Sequence, residues 1–424
     1  MLLRSIALLL ALASSPAALA ATSYVRAGSL VDPEKSRVLA DQLVTIRDGR
    51  VVAVEPWRGA PMDGNVEDWS RYQVLPGLID MHVHLTDWNQ SSNVAEPLLH
   101  SAMEIAYVGA RNARQTLLAG FTSVHDVGCF RAFANVELRN AINRGDVIGP
   151  RVSAVGAYIT VEGGGGEVTG LSPDVKLPDD MRAGVYKDEN DVRLKVAYLF
   201  QHGADSIKII ATGAVLAEGT EPGQLEMTEG EIRAAVETAS RRGGWVTAHA
   251  HGADGIKTAI RAGVRGIEHA SLIDEEGIAM AKAQGTYLSM DIYNGDYIAE
   301  YGAREGWPAD IMRKNEETTE AQRVGFRKAV KAGARIAYGT DAGVFPHGLN
   351  ARQFKYMVAN GMTPMQAIRS ATTVSAAMLG WSGDVGAVAP GRYADLIAVE
   401  GDALADISVL ERVVKVMKGG EVVK

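Results

Sequence analysis

Between residues 78 and 340 the chain alternates between two textures, and that alternation leaves few folds open to it. Short apolar, β-rich runs occupy 78–85, 121–127, 151–158, 205–210, 245–250, 266–269, 286–292 and 335–340. Helical stretches lie between them, among them 102–118, 192–202, 228–241 and 318–332. Runs of this length bounded by turn formers read as buried strands, and strands separated by helices read as a parallel sheet with crossovers. Thr228 with Glu231 three residues on is a capping box that opens one of the helices. Eight such units match a (β/α)8 barrel. A doubly wound open sheet uses the same units, and the count alone does not separate the two.

The two ends differ from this middle. Residues 44–54 carry an Asp48-Gly49 turn between β-rich runs, and 394–399 and 413–417 have the same character near the C-terminus. The expected architecture is therefore an α/β chain: a (β/α)8 TIM-like barrel over 76–384, with a small β-sandwich domain assembled from 21–75 and 385–424. Residues 1–20, with Arg4, a short apolar core and Ala18-Leu-Ala20, read as a signal peptide. The run is too short for a membrane anchor, and no later stretch is long enough to span a bilayer. The expectation is an exported protein, periplasmic or secreted.

Composition narrows the partners. With 43 basic and 51 acidic side chains, a net charge of −8 and no basic tract, nucleic acid is not an expected partner. The single cysteine, Cys129, cannot close a disulfide within the chain.

Catalytic side chains of a parallel barrel sit at the C-terminal ends of its strands. The first run ends in His82-Val-His84, two imidazoles on one face because side chains alternate along a strand. The fourth run holds Lys208 among isoleucines, the fifth ends at His249 with His251 beyond, the sixth ends at His269, and the eighth runs into Asp341. Any one of these has an ordinary structural use: a satisfied core histidine, a paired buried lysine, an aspartate capping a turn. Their coincidence at five strand ends points to a metal site.

The order His-x-His, Lys, His, His, Asp, led by Pro76-Gly-Leu-Ile-Asp80 and closed by Gly339-Thr-Asp-Ala-Gly343, resembles the amidohydrolase superfamily. The likeness extends to Pro390-Gly-Arg-Tyr-Ala-Asp-Leu396. The segments around Gly120-Phe-Thr-Ser-Val-His-Asp, Ala248-His-Ala-His-Gly252 and Gly361-Met-Thr-Pro resemble the imidazolonepropionase-related branch, which contains prolidase-like dipeptidases (Xaa-Pro, Xaa-Arg/Lys) and ochratoxin-hydrolysing amidohydrolases. The resemblance implies two divalent metal ions. His82 and His84 would hold one, His249 and His269 the other, Lys208 would bridge them as a CO2-derived carbamate, and Asp341 would bind the first ion and handle protons. Zinc suits this donor set, with manganese or cobalt as replacements.

The implied reaction is hydrolysis of an amide by a hydroxide held between the ions. Its expected substrates are dipeptides or N-acyl amino acids, ochratoxin-type aryl amides included, with a lactonase or esterase as the rival activity. Related deaminases normally use one ion and lack the bridging lysine, so Lys208 favours hydrolysis of an amide over deamination. Gly165, in the run 161–167, stands where related dipeptidases carry a histidine; His251, Asp291, Tyr293 and His347 are candidates for the pocket wall. His125 stands where relatives usually carry an arginine and is left without a role. The resemblance also implies a homo-oligomer.

Overall fold

The computed structural model describes residues 22–62, 64–87 and 92–424, so the expected signal peptide lies outside the described residues. The chain opens with β1 (Ser23–Asp32), β2 (Arg37–Arg47), β3 (Arg50–Pro56) and β4 (Asn65–Pro76). The β2–β3 turn is Asp48-Gly49, with φ of 52° and 72°. Both residues are left-handed, as a hairpin turn that matches the strand twist requires.

The central strands follow: β5 (Leu78–Val83), β6 (Phe121–Asp126), β7 (Arg151–Ala154), β8 (Tyr158–Val161), β9 (Val185–Tyr186), β10 (Ile207–Ile210), β11 (Val246–Ala250), β12 (Gly266–His269), β13 (Tyr287–Ser289) and β14 (Ile336–Ala337). The chain ends with β15 (Leu396–Val399), β16 (Val413–Lys418) and β17 (Glu421–Val422).

Strands from both ends form one seven-stranded sheet in the order β17-β16-β15-β4-β1-β2-β3. Val25, Val44, Trp69, Leu396 and Met417 bury one face of it in a cluster of their own. The join between the termini is the antiparallel pairing of β4 with β15, Pro76 opposite Leu396. Only Gly77 separates β4 from β5, and its amide donates to the Asp395 carbonyl at 2.9 Å. The terminal sheet therefore fixes where the first central strand begins.

The central strands pair in parallel as β5-β6-β7 and β14-β13-β12-β11-β10-β8, with β9 on the edge of β8. Backbone hydrogen bonds tie the two groups at both ends. Asp205 donates to Ala154 at 2.8 Å, while Met81 donates to Tyr338 at 2.7 Å and Asp341 to His82 at 2.8 Å. The third expected run is split in two at Gly156, whose φ of 84° breaks the extended backbone between β7 and β8. The seventh and eighth runs are shorter than their apolar sequence implies, so Asp291 and Asp341 stand on the turns beyond the strands.

Helices cover the strands as the periodicity predicts. Ala102–Leu118 and Glu229–Ser240 each start at a capping box, at Ser101 and at Thr228. The helix expected from 318 begins nine residues earlier, as Ala309–Ala332; its first turns are dominated by charged side chains that hide the buried stripe of Ile311, Lys314 and Asn315.

Beneath the strand ends, a Cβ on Gly339 would stand 1.9 Å from Ser289 Oγ and 3.0 Å from His82 Cβ. No side chain fits there. Gly339→Ala is expected to lower unfolding stability by about 1–3 kcal/mol through overpacking, read as a shift in urea midpoint without a change in slope.

Candidate metal centre

His82 and His84 leave the end of β5 on one side, and their Nε2 atoms converge on a single oxygen, Asp341 Oδ1, at 3.3 and 3.2 Å. Each imidazole is held from behind. His82 Nδ1 donates to Glu268 Oε2 at 2.9 Å, and Glu268 also accepts from Thr247 Oγ1 at 2.5 Å. His84 Nδ1 donates to the Gly128 carbonyl at 3.0 Å; beside it, the Tyr158 hydroxyl donates to Asp87 at 2.8 Å. Fixing one ring nitrogen orients the ring and turns the other toward the place a cation would take.

The ends of β11 and β12 supply a second group. His249, His251 and His269 place ring nitrogens within 4.8 Å of one another, as do the donor atoms of His82, His84 and Asp341. A third set, His269, Asp291 and Asp341, overlaps both. His269 Nδ1 donates to Asp291 Oδ1 at 3.1 Å, and His251 Nδ1 lies 2.8 Å from Ser271 Oγ. His249 Nε2 lies 3.2 Å from the Gly213 carbonyl, which leaves its Nδ1 for the cluster. Asn294 links the groups by donating to Asp291 Oδ2 at 3.2 Å and to Asp341 Oδ2 at 2.8 Å.

Lys208 lies in the same cavity, 2% exposed, and among the described residues its Nζ has no hydrogen-bond or ion-pair partner. Burial lowers its pKa, against the pull of Glu268, Asp341 and Asp291. A buried ammonium without acceptors is unstable against loss of its proton.

The carboxylates behave oppositely. Burial pushes Asp341 upward, yet His82 and His84 outweigh it and hold the carboxyl well below its usual range. Glu268 is likewise held low by His82 against burial. Burial and Lys208 push His82 down, but Asp341 and Glu268 prevail and raise it to about 9. Two of the residues in these groups adopt left-handed backbone without being glycine: His269 at φ 69° and Asp341 at φ 63°. Such conformations cost about 1–3 kcal/mol each and persist only where the surroundings over-determine them. Here the Asp341 amide donates to the His82 carbonyl at 2.8 Å, and Gln322 Nε2 donates to the His269 carbonyl at 2.9 Å.

All six side chains expected to bind metal thus line one cavity of about 210 Å³. Of the expected wall residues, Gly165, His251 and Asp291 line it too, with Asp291 also orienting His269. Tyr293 and His347 do not belong to the lining. Tyr293 packs on Phe345 and accepts from Arg352 at 3.1 Å. His347 is buried behind the site, bonded to the His84 carbonyl at 3.1 Å and Thr116 at 3.0 Å. A strand-end position brings a residue to the rim, but neighbouring turns decide which way it faces. His125 stacks on Trp245, bonds Ser206 at 2.8 Å and is pushed down to about 3 by burial, a neutral core histidine.

Glu268, Asn294 and Gln322 were not expected. Glu268 had a signal, a carboxylate inside the four-residue strand Gly266–His269. Asn294 and Gln322 had none, because they reach the site from helices whose polar faces look solvent-exposed in the sequence.

Buried imidazoles anchored at one nitrogen and converging with carboxylates are the donor arrangement of a metal-dependent hydrolase. The chain belongs to the Amidohydrolase family, which it matches over residues 73–423. It is 32% identical to the ochratoxinase of Aspergillus niger over 372 residues, 83% of this chain and 75% of that protein. The crystal structure of that enzyme superimposes with a TM-score of 0.84 at 26% identity, covering 96% of each chain. A Xaa-Pro dipeptidase with bound methionine in its active site superimposes with a TM-score of 0.89 at 35% identity, covering 95% of this chain and all of that one. A prolidase complexed with N-methylphosphonate-L-proline gives 0.88 at 30% identity over 95% and 99%. This is a prolidase-like, ochratoxinase-like member of the amidohydrolases, a hydrolase of amide or peptide bonds.

The arrangement sets two expected outcomes. Glu268→Gln removes the acceptor charge behind His82 and is expected to weaken divalent-metal binding about 10–100-fold, measured by chelator competition with zinc as the probe ion. In metal-free protein the raised pKa of His82 contributes stability that is complete below pH 6.5 and lost as pH rises through about 9. A metal must displace that proton. Zinc titration at neutral pH should therefore release a proton that is no longer released above pH 9, seen by calorimetry in buffers of differing ionisation enthalpy.

Proposed function

We propose that this chain is a two-metal amidohydrolase on a closed (β/α)8 barrel, cleaving dipeptides or N-acyl amino acids, ochratoxin-type aryl amides included. His82, His84 and Asp341 would hold one ion, and His249 and His269 the other. Lys208 would join both as a carbamate. An ammonium offers only donors and cannot ligate a cation, whereas a carbamate offers two anionic oxygens. Burial favours the neutral amine, whose nitrogen forms a bond to the carbon of CO2 and then loses a proton. When bound, the ions polarise the scissile carbonyl and lower the pKa of water to supply the nucleophile; zinc suits the donor set.

The chain's own part is proton transfer and positioning. Asp341, ionised because His82 and His84 hold it so, accepts the proton of the attacking water and passes it to the departing amine. Asn294 keeps Oδ2 of Asp341 oriented for that exchange. Gln322 and Asn294 fix Asp291, which in turn fixes His269.

The observation that carries the reading is Lys208: a buried lysine, without a hydrogen-bond or ion-pair partner among the described residues, in the cavity that two groups of potential ligands line. We also infer export, on the pattern of residues 1–20 alone. Metal analysis with a substrate screen tests the function. Wild-type protein should carry two metals per chain and cleave dipeptides or N-acyl amino acids, while Lys208→Ala should lose metal and at least 100-fold of turnover, an order of magnitude set by general-base and metal contributions. Full turnover and two metals in Lys208→Ala would refute the centre, and cleavage of lactones but of no amide would refute the substrate class.

A further inference from the structure

The fold buries a second lysine, and its surroundings are the reverse of those of Lys208. Lys314, fully buried near the start of the helix Ala309–Ala332, has three acceptors for its three ammonium donors. Its Nζ donates to the Ala217 carbonyl at 2.8 Å, the Thr220 carbonyl at 3.2 Å and Asp310 Oδ2 at 2.9 Å. The preceding residue, Arg313, donates to Glu221 at 2.8 Å. Two consecutive cations on one helix therefore clamp residues 217–221. A charge this deep persists only when fully met, so the loop and the lysine hold each other in place.

The clamped segment continues the strand that carries Lys208. It is cinched internally by Thr220 Oγ1, which accepts from the Ala214 amide at 3.1 Å. Its opposite side faces the cavity. Leu216 packs against the apolar cluster of Ile298, Trp307, Ile311 and Val344, and Leu216, Ile298 and Val344 all line the cavity. Among the described lining residues, Lys208 is the one lysine and there is no arginine. The patch of wall that Leu216, Ile298 and Val344 present is apolar, while Glu218, Asn315, Thr318 and Thr319 line the same cavity, and none of these supplies a side-chain cation.

We propose that this wall selects an uncharged apolar group, alkyl or aryl, on one half of the substrate amide, and that Lys314 is the positioning residue that holds the wall in place. The proposal rests on the amide-hydrolase reading and narrows it. Lys314 stays away from the reacting atoms and acts through Leu216.

Pairs of amides differing by one phenyl ring test it: N-acetyl- against N-benzoyl-phenylalanine, and N-benzoyl-glycine against N-benzoyl-phenylalanine. The wild type should prefer the ring-bearing member of at least one pair tenfold or more in kcat/KM. Lys314→Met and Leu216→Asp should each reduce that preference at least fivefold, mainly through KM, with metal content unchanged. Leu216→Asp keeps the test open should Lys314→Met fail to fold. No preference in the wild type, or a preference unchanged in Leu216→Asp, overturns the wall; a folded Lys314→Met with unchanged preference overturns the anchor. Calorimetric Kd values for the same compounds read the same preference without turnover, so a protein that cleaves none of them refutes the function above while the wall is still decided.

Discussion

The structure depends on a carboxylate that has been taken out of water. Asp341 is buried, and a lone buried carboxylate would be protonated or would unfold its surroundings. It stays ionised because two imidazoles from the far end of the chain's first central strand meet the same oxygen. That requirement ties position 341 to positions 82 and 84 across most of the sequence. The left-handed backbone at Asp341 is held in place by its amide, which donates to the His82 carbonyl at 2.8 Å.

Support for that contact spreads outward in layers. Glu268 and Gly128 hold the rear nitrogens of His82 and His84, and Thr247 holds Glu268. Below lies another buried carboxylate, Asp80, which accepts from Thr340 and Asn350 at 2.6 and 2.8 Å and so locks the strand ends on which His82 and Asp341 ride. Burial raises Asp80 to about 6 in spite of these donors. Asp80, which meets His82 through its backbone amide and not its ring, is thus pushed toward its neutral form, whereas Asp341 and Glu268, both touching the His82 ring, are driven the other way. Opposite shifts within one small volume mark where the fold concentrates charge for chemistry.

The two buried lysines show the same principle from the cationic side. Lys314 is surrounded by carbonyls and a carboxylate and serves as a structural bolt. Lys208 has no such acceptors among the described residues, and burial lowers its pKa. Residue type and burial are alike in the two; only the arrangement of acceptors differs.

How much of this was legible beforehand depends on the range of each signal. Strands, helices and their order are short-range patterns, so the alternation, the Asp48-Gly49 hairpin and the Thr228 cap could be read directly. The metal-ligand candidates were legible because ionisable residues inside apolar runs are too costly to bury without a use. Partnership was not legible, because side-chain direction depends on turns and on neighbours distant in sequence. Tyr293 and His347 face away from the cavity, Asn294 and Gln322 reach into it from helices that read as ordinary surface, and Leu216 and Lys314 have no visible relation along the chain. Which residue types stand at the strand ends follows from the chain alone, since burial and periodicity are local; which of them touch follows from the packed fold, since contact is set by the closing of long loops and the balance of buried charge.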